Sequence, residues 1–229
     1  MLFRSYGRAF RAPSLYESTY PVDGGKVGSE RLDMAELIWM QRLGKSALLT
    51  SSLYQYNVNG LVDAVGDSSL ELRFSNLGKV QAQGMEATVD VRPASYLRGY
   101  FNFSMGRAVD DDTGNLLTNS PSQLLKLGLA AEVTRWASAA TELRYESGRR
   151  TVAGTRTDPF LIANLNLGIR PFGPPGPTAG RRLPDGFDVA FRVTNLFNAK
   201  YAYPGGTEHV QTGITQDGRG LAVRVGYEF

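Results

Sequence analysis

Leu221-Ala222-Val223-Arg224-Val225-Gly226-Tyr227-Glu228-Phe229 is the stretch on which the fold turns. Leu221, Val223, Val225, Tyr227 and Phe229 fall on one side of an extended chain, and Ala222, Arg224, Gly226 and Glu228 on the other. Successive side chains of a β-strand point to opposite faces, so the segment is a strand that is apolar on one face and polar on the other. A single alternating segment fits a soluble sandwich equally well. The choice depends on whether the rest of the chain repeats the pattern.

The totals narrow the field. The chain has 229 residues, 42% of them hydrophobic, and a mean hydropathy of -0.24. No apolar run approaches the roughly 18 residues of a membrane-spanning helix, which excludes a helical membrane protein. A transmembrane β-barrel stays open, because lipid-facing and lumen-facing residues interleave and average out. The 25 basic and 22 acidic residues leave a net charge of +3. The cations are spread along the chain rather than clustered, so no nucleic-acid partner is expected. Cysteine is absent, which removes disulfides and thiolate metal sites. Met1-Leu2-Phe3-Arg4-Ser5-Tyr6-Gly7 has none of the features of a secretory signal, so no signal peptide is expected in this sequence.

Upstream of the terminal strand the alternation recurs. A first strand runs over residues 2–10 and gives way to a loop with Pro13, Pro21, Gly24 and Gly25. A second, residues 30–43, sets Ala35, Leu37 and Trp39 against Glu36. A third, residues 48–62, sets Tyr54, Tyr56 and Val58 against Gln55, Asn57 and Asn59. After a polar loop at Gly66-Asp67-Ser68-Ser69, a long fourth strand carries Met85, Ala87, Val89 and Val91 opposite Glu86, Thr88 and Asp90. The fifth sets Leu97, Phe101 and Phe103 against Arg98, Asn102 and Ser104; the sixth has Leu125, Leu127 and Leu129 opposite Lys126 and Gly128. The seventh has Ala137, Ala139, Leu143 and Tyr145 opposite Glu142, Arg144 and Glu146. The eighth alternates Leu161, Ala163, Leu165, Leu167 and Ile169 with Ile162, Asn164, Asn166 and Gly168. A long irregular turn over residues 171–186 leads to the ninth, with Phe187, Val189, Phe191 and Val193 opposite Asp188 and Arg192.

The pattern amounts to about ten antiparallel strands. Short connections near Gly44, Pro93 and Arg135 alternate with long polar ones near Gly24, Gly66, Asp111, Gly154 and Gly213. Outer-membrane barrels have this asymmetry, with short periplasmic turns and long extracellular loops. A wet or plugged lumen also accommodates Glu36, Glu86, Arg98, Glu142, Arg144, Arg192 and Arg224 on the polar faces, where a dry core would make them costly. The expected fold is therefore all-β, an antiparallel up-and-down transmembrane β-barrel.

Several stretches then resemble one family. They are Tyr6-Gly7-Arg8-Ala9-Phe10-Arg11-Ala12-Pro13-Ser14 with Leu15-Tyr16-Glu17; Phe74-Ser75-Asn76-Leu77-Gly78 followed by Gly84-Met85-Glu86; and Asn119-Ser120-Pro121. The most specific is Val193-Thr194-Asn195-Leu196-Phe197-Asn198-Ala199-Lys200-Tyr201, followed by Pro204-Gly205-Gly206 and Gly218-Arg219-Gly220. In this order and spacing the chain resembles the C-terminal part of the barrel of a TonB-dependent outer-membrane receptor. The resemblance implies a barrel of about 22 strands, of which about ten are present. It also implies an N-terminal plug that this sequence lacks, so residues 1–229 are read as the C-terminal portion of a receptor barrel, not competent for transport alone.

The implied activity is TonB-energised import of a scarce metal chelate, of the ferric siderophore or cobalamin class, with no enzymatic step and no cofactor. The implied partners are outer-membrane lipid and lipopolysaccharide, the TonB complex through the missing plug, and the chelate itself. Tyr16, Tyr20, Arg149, Arg150, Tyr203, His209 and Gln211 stand on the long loops, and aromatic and Arg side chains there can hold an anionic chelate. The alternative for the same residues is an interfacial aromatic girdle for the tyrosines and a solvated or lipopolysaccharide-facing role for the arginines. His209 is the only histidine, and no second ligand stands at metal-site spacing. Asp110, Asp111 and Asp112 lack the rest of a calcium loop. Leu221, Val223, Val225, Tyr227 and Phe229 resemble the signal read by the barrel-assembly machinery, and also suit a lipid-facing last strand. The rival reading is a self-contained ten-stranded barrel, a passive porin or a protease using His209 and the Asp110 cluster. That rival must close its own ring.

Overall fold

A computed structural model of the chain describes residues 1–66, 72–76, 78–169 and 187–227. The expected turn over residues 171–186, the loop around Asp67 and the terminal Phe229 lie outside them. The elements run β1 (Leu2–Arg11), α1 (Leu15–Thr19), a 3-10 turn (Val22–Gly24), β2 (Glu30–Leu43), β3 (Ala47–Asn59), β4 (Val62–Gly66), β5 (Leu72–Asn76), β6 (Lys79–Ala94) and β7 (Leu97–Asp110). They continue through β8 (Gln123–Thr134), β9 (Ala137–Glu146), β10 (Phe160–Ile169), β11 (Phe187–Thr194), β12 (Ala202–Pro204), β13 (Gly213–Thr215) and β14 (Gly220–Tyr227).

Ten strands form one antiparallel sheet in the order β1-β2-β3-β6-β7-β8-β9-β10-β11-β14, each beside its neighbour in sequence once the two small hairpins are set aside. Among the described residues β1 pairs only with β2, and β14 only with β11. Among these residues the sheet is open, and they do not form the closed ten-stranded ring needed by a small porin or protease.

Register fixes the faces. From β2 to β14, even-numbered residues pair with even and odd with odd across every strand boundary, except at the bulged turn ends Ala94↔Leu97 and Thr134↔Ala137. Glu36, Glu86, Arg98, Glu142, Arg144, Arg192 and Arg224 thus share one face, as the lumen reading requires. The same face is concave: Arg42, Asp90, Arg98, Tyr100, Glu142 and Asn166 line a cavity of about 710 Å³. The odd face is the convex one and carries the apolar alternation, with Leu221 77% and Val223 63% exposed at its end.

The strands are also strongly staggered. One row of paired residues runs Leu43, Ala47, Val91, Gly99, Leu129, Thr141, Leu165, Val193, Leu221. It begins at the last residue of β2 and ends near the first of β14. A perpendicular row that crosses from one end of the strands to the other is the stagger a closed barrel wall requires.

The sequence reading leaves one choice of face open and needs three corrections. Tyr54, Tyr56 and Val58 lie on the concave, charged face, and Gln55 and Asn57 lie outside; periodicity gives two faces without saying which is which. The third strand stops at Asn59, and the first part of the long fourth strand instead forms a separate hairpin of β4 with β5. The loop after β1 contains α1, whose N-terminus is closed by a capping box of Ser14 and Glu17. The loop after β11 contains a small hairpin of β12 with β13.

Candidate functional site

The long-loop rim carries its most built cluster where β9 and β10 meet the returning loop of residues 195–219. The loop is turned back by Asn195 and Asn198, both in the left-handed region at φ 49° and 53°, a conformation asparagine tolerates better than most residues. Asn195 is buried, 4% exposed. Its side chain accepts from Ala199 N at 2.9 Å and donates to Ala199 O at 2.9 Å, while its own N–H reaches Asn164 Oδ1 at 3.0 Å. Asn198 Oδ1 accepts from Arg219 N at 2.9 Å, joining the two ends of the loop.

That bracket delivers Tyr201 and Tyr203 onto the concave face above β9 and β10. Phe160 lies 4.3 Å from Tyr201, centroid to centroid, and the two tyrosines meet edge to face at 5.8 Å. Arg144 donates through Nη2 to the Tyr203 hydroxyl at 3.0 Å and lies over the Phe160 ring. Arg149 stacks on Tyr203 with its guanidinium carbon 4.7 Å from the ring centre. It also donates through Nε to the buried Glu146 at 2.7 Å and through Nη1 to Asn119 Oδ1 at 2.8 Å. Burial pushes the Tyr203 phenol above its ordinary value, so at neutral pH it keeps its proton and can both accept from Arg144 and donate onward. Arg144 Nε is buried without a partner among the described residues. Two guanidiniums, Arg144 and Arg149, stand here with the single carboxylate of Glu146, and the aromatic lining beside them suits a flat, anionic guest.

The expected loop residues divide into separate groups. Arg149 and Tyr203 come together. Arg150 turns away and donates to Leu116 O at 2.9 Å. Tyr16 and Tyr20 pair at 4.9 Å near the opposite edge of the sheet, where Tyr16 also meets Phe74 at 5.5 Å. Arg11 anchors α1 there, donating to Glu30 at 2.7 Å and to Glu17 at 3.0 Å. His209 Nδ1 lies 3.1 Å from Glu208 Oε1, and Gln211 stands exposed in the same loop. Asp110 caps its own turn, accepting from Asp112 N and Thr113 N. Arg144, Glu146, Phe160 and Tyr201 are the members that sequence reasoning did not assign to a site. Their signal was present in the lumen parity of Arg144 and Glu146 at the loop end of β9.

A family model described as TonB dependent receptor-like, beta-barrel, matches residues 1–196. The chain belongs to the TonB-dependent receptor family. Its fold resembles that of several solved receptors. A copper transporter, OprC, aligns over 100% of this chain and 37% of its own, at 15% identity and a TM-score of 0.77. The ferric-catecholate import receptor Fiu of E. coli K12 aligns over 100% and 33%, at 17% identity and 0.75. The ferric enterobactin receptor PfeA of Pseudomonas aeruginosa aligns over 100% and 38%, at 16% and 0.72. The chain thus spans about a third of the length of the solved structures it matches. No curated protein matches it in sequence. Members of this family are receptors of the bacterial outer membrane rather than enzymes, which makes the odd, apolar face of the wall its lipid-facing side.

Proposed function

We propose that this chain forms the C-terminal ten strands of the barrel wall of a larger TonB-energised transporter that imports a metal chelate. The ferric siderophore or cobalamin class is the favoured cargo. The reading rests on one observation above the others: the loop of residues 195–219 folds inward and sets Tyr201 and Tyr203 beside Arg144 and Arg149 at the extracellular mouth of the concave face. The planar, anionic chelating arms of a ferric siderophore meet both stacking and charge-assisted donors there. The names of the similar structures, for copper, ferric catecholate and ferric enterobactin, agree in being metal-bearing cargo and divide between copper and ferric iron. Energy coupling belongs to the plug and the TonB complex, and assembly to the barrel machinery acting on the C-terminal strand. The open edges of β1 and β14 support membership of a larger wall, since unpaired backbone is not tolerated in hydrocarbon.

The test uses cells that express the complete receptor as their sole outer-membrane route for iron. They are offered ferric siderophores, cobalamin and copper under limitation. TonB-dependent accumulation of one chelate, lost in Tyr203→Leu while surface expression persists, is the expected result. Accumulation that is equal with and without TonB would point to a passive pore and sink the transporter reading.

A further inference from the structure

The concave face has a second cationic place, at its short-turn end. The cavity of about 710 Å³ there is lined by Arg42, Lys45, Arg92 and Arg98, and among the described residues Asp90 and Glu142 are its only carboxylates. All four cations are exposed, and none has an ion pair among the described residues. Glu142 already accepts the Tyr100 hydroxyl at 2.7 Å, so Asp90 is left to balance four positive charges. Tyr100 lies flat against Gly128 and lines the cavity together with Arg98. Guanidinium and aromatic ring are also what Arg149 and Tyr203 present at the mouth. The volume falls within the roughly 300–1,000 Å³ of small-molecule sites.

Register joins the two places. On β7, β8 and β9 one lumen row is Asn102, Lys126 and Arg144; the next toward the turns is Tyr100, Gly128 and Glu142; the third is Arg98, Ala130 and Ala140. Successive rows of one face are two residues, about 7 Å, apart. Arg144, which holds Tyr203 at the mouth, is therefore only about 14 Å along the strands from the row of Arg98. Lys126, exposed and without an ion pair among the described residues, stands beside Arg144 at the upper end of this descent. We infer that the cavity is a second, inner station for the imported chelate, where Arg98 and its neighbours take the oxyanion groups of a ligand passed down from the mouth. The inference rests on the import reading above and gives that cargo a charge: it is anionic.

Cells expressing the complete receptor are offered radiolabelled ferric enterobactin, ferric pyoverdine, cobalamin and copper. Surface binding without TonB is measured separately from TonB-dependent import, at equal surface amounts of receptor. Arg98→Gln is expected to bind an anionic ferric siderophore as the unmodified receptor does and to import it severalfold more slowly. Ala130→Glu sets a carboxylate opposite Arg98 and should be slowed likewise, severalfold more than Ala130→Gln, which adds similar bulk without charge. That pair decides the matter even if Arg98→Gln fails to assemble. Unchanged import in both charge variants, equal slowing by Ala130→Glu and Ala130→Gln, or a loss of surface binding that matches the loss of import overturns the station. So does entry of vancomycin into resting cells of the charge variants, which would mean that these cations seat the plug instead. Import confined to cobalamin, which has no net negative charge, leaves the import reading standing and overturns the inner station alone. Import of none of the four by the unmodified receptor removes both.

Discussion

The phenolic oxygen of Tyr54 lies 2.6 Å from the point where a β-carbon on Gly106 would stand, two strands away along the concave wall. On the strand between, Gly84 leaves room for the same ring, and Tyr54 stacks on Tyr56 at 4.9 Å. Tyr100 uses Gly128 in the same way and donates to Glu142 at 2.7 Å. Large rings laid flat over glycine bind three strands together in a wall that has little dry core to do so. Gly106→Ala should therefore cost about 1 kcal/mol by overpacking, measured as urea unfolding of the assembled barrel in micelles. Tyr54→Phe in the same chain should restore most of that loss, because the hydroxyl is the only close obstruction. Gly84→Ala should not be rescued, since its β-carbon would also meet the carbonyl oxygen of Met105 at 2.6 Å. Equal rescue at both glycines would refute this account of the joint.

Asn195 carries the second prediction. Asn195→Ala leaves a left-handed backbone without the side chain that tolerates it, and strips Ala199 N–H and C=O of their partners. Each buried polar group left unpaired costs about 1–3 kcal/mol, so the bracket should open and the loop of residues 195–219 should become a protease target. Limited proteolysis of surface-displayed receptor should cut the variant in this loop severalfold faster. Asn195→Gly relieves only the backbone and should rescue weakly; full rescue would mean that the hydrogen bonds contribute nothing.

The third concerns pH. The Arg11 guanidinium, helped by Ser14 N–H, holds the Glu17 carboxyl at about 2, against an ordinary value of 4.5. A depressed carboxylate stabilises above its unfolded value and loses that contribution as pH falls through its folded one. The anchoring of α1 should therefore be flat from pH 8 to 5, weaken below about 4.5 and fail near 2. A carboxyl-detected NMR titration of Glu17 checks this directly. An inflection near 4.5 would show that the clamp to Arg11 is not formed in solution.

How much of this was legible beforehand varies with the physics. Alternation sets strands, and β2 runs over the same residues that the sequence indicates, because Ala35, Leu37 and Trp39 alternate around Glu36 at its centre. Tyr54, Tyr56 and Val58 were half legible: their period is right, but aromatic rings that cover glycines across the wall cannot be told from lipid-facing ones by period alone. Only register with Glu36 and Glu86 reveals their side. The family-like motifs were visible as letters and opaque as roles. Asn195, Asn76, Ser14 and Asn119 prove to be brackets: Asn76 alone holds Gly28 and Gly60 with three hydrogen bonds. The mouth cluster was half legible. Tyr203 and Arg149 stand on loops and suggest a site, but their meeting depends on a loop that folds inward, which no local pattern encodes.

The last prediction separates two meanings of the terminal alternation. Leu221, Val223, Val225 and Tyr227 lie on the convex face, on a strand bonded on one side only among the described residues. As lipid-facing residues they should resist charge: Val223→Lys should cost about 2–4 kcal/mol if it sits near the bilayer midplane, falling toward the interfaces. Ala222→Lys, on the lumen face, should cost far less. An assembly signal predicts something different, namely that deleting Phe229 lowers the amount of receptor reaching the outer membrane while the molecules that do arrive unfold at the unmodified urea concentration. Heat-modifiable mobility in membrane fractions, read with unfolding of the purified protein, distinguishes the two. If the deletion changes neither yield nor stability, the terminal aromatic has no recognition role and the strand is a lipid-facing wall alone.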